Sequence, residues 1–251
     1  VQNVTKGYYG SGNYSEIILG LPGDSYERHK KSIKDMIDSQ IDHINCGQLM
    51  ILNDTPMASK KYRSYYGLKT KYRFLVKGFM QLPIAGEKKL IIEEEEICVG
   101  NKELPFSDYL KARVFSLFIN VFYNNRYKLE HFSRFEDFNI CVSDYIFEIV
   151  ESTKPYNIKK IEDQFVEHLH LELYDSAEEL RSKLKVGNTY NLLVSGKIGV
   201  NLLELYTNKC LEHKNELSQI EEQVALSMKG DDFKNYIVSK DNSKTILASR
   251  Y

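Results

Sequence analysis

Gly20-Leu21-Pro22-Gly23 could hold a ligand without any side-chain chemistry. Glycine lets a planar ligand come close to the main chain, and the helix expected just after it offers free N–H groups. Asp24 stands where that helix needs an N-cap, and Glu27 follows at capping-box spacing, which should be worth about 1 kcal/mol. As the cap, Asp24 occupies those donors and adds negative charge, and the spacing matches neither a P-loop nor a dinucleotide fingerprint. An uncharged or zwitterionic ligand held by main chain is therefore expected. On the following apolar segment Ile44, Cys46, Gln48 and Met50 share one face of a strand. Gln48 either points into the same cavity or hydrogen-bonds a neighbouring strand end.

Other chemistry is thinly supplied. Cys46, Cys98, Cys141 and Cys210 lie too far apart for any two to share a short metal-ligand loop. Each is expected to be a small core residue, and no metal site is expected. His168 and His170 are two positions apart, which puts them on different faces of a helix, whereas a metal pair wants a spacing of three or four. Among the first sixty residues only Asp54 is a carboxylate or histidine placed at a strand end, which disfavours acid–base chemistry.

The elements that must position these residues begin at Ser15. A strand from Ser15 to Gly20, a helix with Tyr26, His29, Ile33, Met36 and Ile37 on its apolar stripe, and a strand from His43 to Leu52 make a βαβ unit. Its two strands pair in parallel with a right-handed crossover. The fourteen residues before Ser15 read as a loop. Such a unit leaves a strand edge without a neighbour, so the chain reads as a fragment of something longer.

Gly67 ends the next helix. Strands are expected from Lys71 to Phe79 and from Lys88 to Val99, joined by a turn at PIAGEK. The block EEEE at 93–96 belongs on an exposed edge or in a ribbon outside the core. Helices follow from Pro105 onward, the first capped by Ser107 and carrying Tyr109, Leu110, Val114, Leu117, Phe118, Val121 and Phe122 at helical spacing. Further helices are expected over Phe138 to Glu151, Lys159 to Leu184 and Asn191 to Leu226, with a loop at VGNTY. The stretch from Tyr236 to Tyr251 reads as frayed.

Bulk properties narrow the class. The 251 residues carry 34 Lys and Arg against 35 Asp and Glu, a net charge of -1, so nothing points electrostatically to nucleic acid. No apolar run is long enough to span a membrane, and no signal peptide is evident, which makes a soluble cytoplasmic protein the expectation.

SEIILGLPGDSYE followed by DHINCGQLMILNDTPMA resembles the last two β/α units of a radical S-adenosylmethionine (radical SAM) barrel. In that family a strand ending Gly-Leu-Pro-Gly-(Glu/Asp)-(Thr/Ser) lies against the adenine of S-adenosylmethionine. YRSYYGLKTKYRFLVKGF and LPFSDYLKARVFSLFINVFYNN resemble the region downstream of the barrel in cobalamin-binding members, so the likeness covers roughly residues 15 to 125. It implies three segments: residues 1–68 as the C-terminal part of a partial (β/α)6 barrel, 69–104 as a β-rich connection, and 105–251 as a helical domain. It also implies adenine contacts from Ile18, Gly20, Leu21, Pro22 and Gly23 on one side and from Gln48, Leu49 and Met50 on the other.

The family's Cys-x3-Cys-x2-Cys loop, whose thiolates hold a [4Fe–4S] cluster, has no counterpart here. Nor does the glycine-rich stretch after the second barrel strand or a cobalamin-binding fold, and Asn53-Asp54-Thr55 replaces the usual Pro-Gly-Thr. The implied parent cleaves S-adenosylmethionine reductively, acts on a small-molecule or biosynthetic substrate through a 5′-deoxyadenosyl radical or methylcobalamin, and carries the cluster on a missing N-terminal part. This chain alone is then expected to be inactive. The competing expectation is a non-enzymatic helical interaction module with a small α/β platform.

Overall fold

The computed structural model describes residues 13–241, apart from 85, 128 and 185–187. The expected loop before Ser15 and the end beyond residue 241 lie largely outside that range. Strand β1 (Tyr14–Leu19), helix α1 (Tyr26–Asp38) and strand β2 (His43–Gln48) form the βαβ unit, with the two strands parallel and Ile17 opposite Cys46. His29, Ile33 and Ile37 form the buried stripe of α1, as their spacing predicts.

The second strand is shorter than its apolar run. It stops at Gln48, and Leu49 to Ile51 turn away from β1 to a long antiparallel ribbon of β3 (Lys69–Ile84) and β4 (Glu87–Gly100). Ile51 N donates to Glu96 O and Cys98 N to Leu49 O, both at 2.8 Å. Between β2 and the ribbon the chain forms helix α2 (Lys60–Tyr66), closed by Gly67 in the left-handed conformation, where a residue without Cβ costs least.

Helix α3 (Phe106–Phe118) starts after Pro105, which takes the cap position expected of Ser107. It runs straight into a π-helical stretch, Ile119–Arg126. There Asn125 Nδ2 donates to Asn120 O at 2.7 Å, and Asn124 reaches β2, accepting from Ile44 N at 3.0 Å and donating to Ile44 O at 2.9 Å. One side chain thereby does for β2's outer edge what a neighbouring strand would do.

The remaining helices are α4 (Val142–Glu151), α5 (Tyr156–Leu171), α6 (Ala177–Leu184), α7 (Thr189–Val194), α8 (Leu202–Leu211) and α9 (Lys214–Asp241), the last broken at Lys229 and Gly230. Two long helices expected from the sequence are each divided. After α5, Tyr174 leaves helix to bridge Tyr72 of β3, and Gly196 and Gly199, both at positive φ, separate α7 from α8. Tyr236 and Ile237, expected to fray, are buried in α9. One large core joins α1 and β2 to α3, α4, α5, α8 and α9 through Ile33, Cys46, Phe115, Tyr145, Phe165 and Phe233.

The acidic block lies in a two-stranded ribbon, as expected, but one of its residues is taken into the interior. Glu95 is buried and paired with Arg73, while Glu96 binds Arg63 through both oxygens and Glu94 pairs with Arg181. Alternation sends these carboxylates to both faces, and an arginine on each face makes that tolerable. Cys46, Cys98 and Cys210 are buried as expected, but Cys141 is exposed at the start of α4. Among the described residues no sheet closes into a barrel, and no helix is long and apolar enough to cross a membrane.

Candidate functional site

The parallel pair β1–β2 is covered on one face only. Ile44 and Cys46 point into the core with Ile33, Ile37 and Phe115, so helices cover that side. The opposite face carries Tyr14, Glu16 and Ile18 on β1 with His43 and Asn45 on β2; Tyr14 is 69% exposed and Ile18 42%. Parallel strands are normally covered on both faces, because their crossover connections put an element on each. Here the second cover is missing among the described residues.

The edge of β1 is also open. Leu19 O accepts from Leu49 N at 2.9 Å, which fixes residues 15, 17 and 19 as those whose backbone groups turn to β2. Glu16 and Ile18 turn theirs outward, where no strand lies among the described residues. At the end of that edge the Asp24 carboxylate accepts from Gly20 N at 3.0 Å and from Ser25 N at 2.9 Å. Asp24 therefore closes the strand end, and Ser25 is the helix cap, its hydroxyl accepting from Arg28 N at 3.3 Å. The sequence places the cap one residue early because an aspartate and a serine satisfy the same pattern.

The corner between strand and helix has the shape its glycines suggest. Gly20 has φ +93 and Gly23 φ +80, and a Cβ on Gly20 would sit 3.3 Å from Cys98 O. Asn101 Nδ2 holds Leu21 O at 3.1 Å. The edge, the corner and α1 enclose a cleft of about 440 Å³ lined by Glu16, Ile18, Leu21, Pro22, His29 and Ser32, among others.

The expected binding residues thus divide. Ile18, Leu21, Pro22 and Gly23 line one cleft, and Gly20 supplies backbone behind it. Gln48 and Leu49 do not join them. Leu49 is buried with Ile51 and Cys98, while Met50 bridges Ile97 and leaves its side chain exposed. Gln48 lies on the helix-covered face, so the cavity reading of Gln48 is corrected. Oriented with its amide nitrogen toward the Tyr109 hydroxyl, its oxygen accepts from Arg73 Nη1 at 3.1 Å and Arg113 Nη1 at 3.3 Å.

Around Gln48 the fold gathers charges that the sequence scatters. Arg73 binds Glu95 and, at 3.0 Å, Glu172. Burial works against the Arg73 charge, but Glu172 and Glu95 outweigh it and hold the guanidinium above its usual range. Burial raises the Glu172 carboxyl against the pull of Arg73 and Arg113 and pushes the Tyr109 phenol up to about 12. This cluster braces β2 against α3 and the ribbon. Its one legible signal is Arg113, a charge four residues after Tyr109 on an otherwise apolar helix face.

His29 is the residue the sequence undervalues. It reads as part of an apolar stripe, yet it is 1% exposed and neither ring nitrogen has a protein hydrogen-bond partner. Burial lowers its pKa, with Asp24 pulling the other way and Arg113 adding to the fall.

The thiols offer little to a metal. Burial pushes Cys46 up to about 11 and Cys210 up to about 12, and it raises Cys98 as well. No group of three histidine, cysteine or carboxylate side chains comes together for a metal among the described residues. His168 Nδ1 instead meets Tyr206 OH at 2.8 Å, and His170 packs edge-on against Phe106. No protein-family model and no curated protein matches the chain.

Proposed function

We propose that this chain is the C-terminal portion of a radical S-adenosylmethionine enzyme, and that its Gly20–Gly23 corner helps to seat the adenine of that cofactor. The observation that carries the reading is the half-covered parallel pair: helices on one face, a bare face with Tyr14 and Ile18 on the other, and one unpaired edge. A barrel accounts for all three at once, since its inner face is covered by its own other strands and its edges vanish on closure.

The residues present fit the nucleoside part of the cofactor. Ile18, Leu21 and Pro22 offer apolar surface beside backbone made approachable by Gly20 and Gly23, and the cleft carries no concentration of positive charge that would call for phosphate. These groups bind and orient; they perform no redox step. The residues do not fit an iron–sulfur cluster, because cluster iron takes accessible thiolates and three of the four thiols are buried and held protonated. In this reading the cluster, the substrate and any cobalamin belong to the part of the enzyme ahead of β1, and the helical half caps or extends the barrel.

The test is to express the longer reading frame, reconstitute it anaerobically with iron and sulfide, and assay S-adenosylmethionine cleavage. Cleavage by the longer protein and none by the 251-residue chain is the expected result. A stable, active cluster on the short chain, or an upstream frame without a Cys-x3-Cys-x2-Cys loop, overturns it.

The alternative is an interaction module without catalysis. One observation favours it: the far half of the β3–β4 ribbon exposes Met80, Leu82, Ile84 and Ile91. A clean start codon and promoter immediately before Val1 would support that alternative.

A further inference from the structure

We propose that the outer end of the β3–β4 ribbon docks this chain on an anionic lipid surface. Met80, Leu82, Ile84 and Ile91 enter the headgroup region, and Lys88 and Lys89 meet the charged headgroups. The inference goes beyond the cofactor reading and does not depend on it. Three observations on the ribbon carry it.

The first is reach. Helices α6 and α7 cover one face of the ribbon, where Leu180 and Leu193 pack with Phe79 and Ile92 and the Tyr190 ring meets Phe79 edge-on. Phe79 and Ile92 are paired across the strands; five further rows follow, from Met80–Ile91 to Ile84–Glu87, and project about 17 Å beyond them. Residues 80–84 and 86–89 are all exposed. Alternation puts Met80, Leu82, Ile84 and Ile91 on the face turned away from Phe79 and Ile92. A bare two-stranded arm is marginal in water and gains stability from a surface that covers it.

The second is the kind of partner the arm admits. Pro83 lies opposite Lys88, and proline has no N–H to give to the ladder, so that pair turns its backbone to the two outer edges. Proline on one edge and lysine on the other deter an added strand. A partner must therefore meet the apolar face. At the exposures of its four side chains that face offers a few hundred Å², against about 800 Å² per partner in a stable protein interface. A lipid interface needs no matching surface and takes up protruding apolar side chains in proportion to the area they bury.

The third is charge. From Lys77 to Ile91 the arm carries three lysines and one glutamate, on a chain whose net charge is -1. Of the acidic block at the ribbon's base, all but Glu93 are taken by arginines: Glu94 by Arg181, Glu95 by Arg73 and Glu96 by Arg63. Basic residues beside protruding apolar ones complement an anionic surface, and each adds attraction close to it.

The test mixes the 251-residue chain with vesicles of phosphatidylcholine, alone or with phosphatidylserine added. The chain has no tryptophan, so Leu82→Trp places a single reporter on the arm and Leu171→Trp one on α5, at a site that is 65% exposed, more than any of the four. Expected is co-sedimentation with the phosphatidylserine vesicles, with blue-shifted emission from the Leu82→Trp reporter and unchanged emission from Leu171→Trp. Lys88→Gln with Lys89→Gln should weaken partitioning about 30-fold. Leu82→Ser with Ile84→Ser should weaken it at least about tenfold, and Leu171→Ser should leave it unchanged. All of these sites are exposed, so no substitution touches the core. No binding, equal binding to both vesicle types, an arm reporter that stays in water, or binding that survives the serine pair overturns the proposal. So does a dimer of the lipid-free chain that the serine pair dissociates, since a second copy would then be the occupant. No readout uses S-adenosylmethionine or a cluster, so the cofactor reading stands or falls separately.

Discussion

The Gly20 amide donates to the Asp24 carboxylate at 3.0 Å, so an aspartate four residues downstream terminates the first strand. Without that carboxylate the last outward amide of β1 and Ser25 N would both lose their acceptor. Asp24→Ala should cost about 1–3 kcal/mol, more than the roughly 1 kcal/mol expected from removing the Ser25 cap. Denaturant midpoints for the two variants check the order; a Ser25→Ala variant weaker than Asp24→Ala would reverse the roles assigned to the two residues.

The corner's two glycines should respond unequally to alanine. Both sit at positive φ, which strains any L side chain by about 1 kcal/mol, but only Gly20 also lacks room, with Cys98 O 3.3 Å from the added Cβ and nothing near that of Gly23. Gly20→Ala is expected to destabilise more than Gly23→Ala by thermal melting.

Arg73 is the ion-pair partner of both Glu95 and Glu172, and its loss leaves Glu95 unpaired among the described residues and Glu172 with only the pull of Arg113. Arg73→Met should therefore cost about 3–5 kcal/mol. Glu172→Gln should be much milder, because burial already favours the neutral form of that carboxyl and the amide can still accept from Arg73. Urea unfolding of the single and double variants reads the coupling.

Lys154 supplies a pH test. Burial lowers its pKa to about 8 from 10.5, although its ammonium donates to Ile149 O, Val150 O and Ser152 O at the end of α4. Between pH 8 and 10.5 the unfolded chain keeps a proton that the folded chain releases. The Lys154 contribution to stability therefore increases with pH across that window, by about 1–3 kcal/mol. Below pH 8 both states are protonated and the slope vanishes. Buried tyrosines such as Tyr109, raised to about 12, act oppositely above pH 10, so the test is the difference between the native protein and Lys154→Met. A difference that stays flat from pH 8 to 10 counts against the shift.

The βαβ unit, its parallel pairing, the α1 stripe and the Gly67 stop were all legible in the residue order, because each depends on neighbours within one or two turns or on a single apolar run. The corner was legible for the same reason, since glycine's freedom is local. What lay beyond reach was the side to which each face turns. Gln48 shares a strand face with Ile44 and Cys46 in any reading, but only the packing of α3 over that face, bringing Tyr109 and Arg113, decides that it is covered. The acidic block sits in a ribbon as its charges suggest, but the burial of Glu95 was out of reach, because the arginine partners come from residues 63, 73 and 181, which only the fold brings together. His29 shows the limit most clearly. Periodicity sends a residue inward, but whether its ring finds a partner there depends on the groups the rest of the chain brings to it.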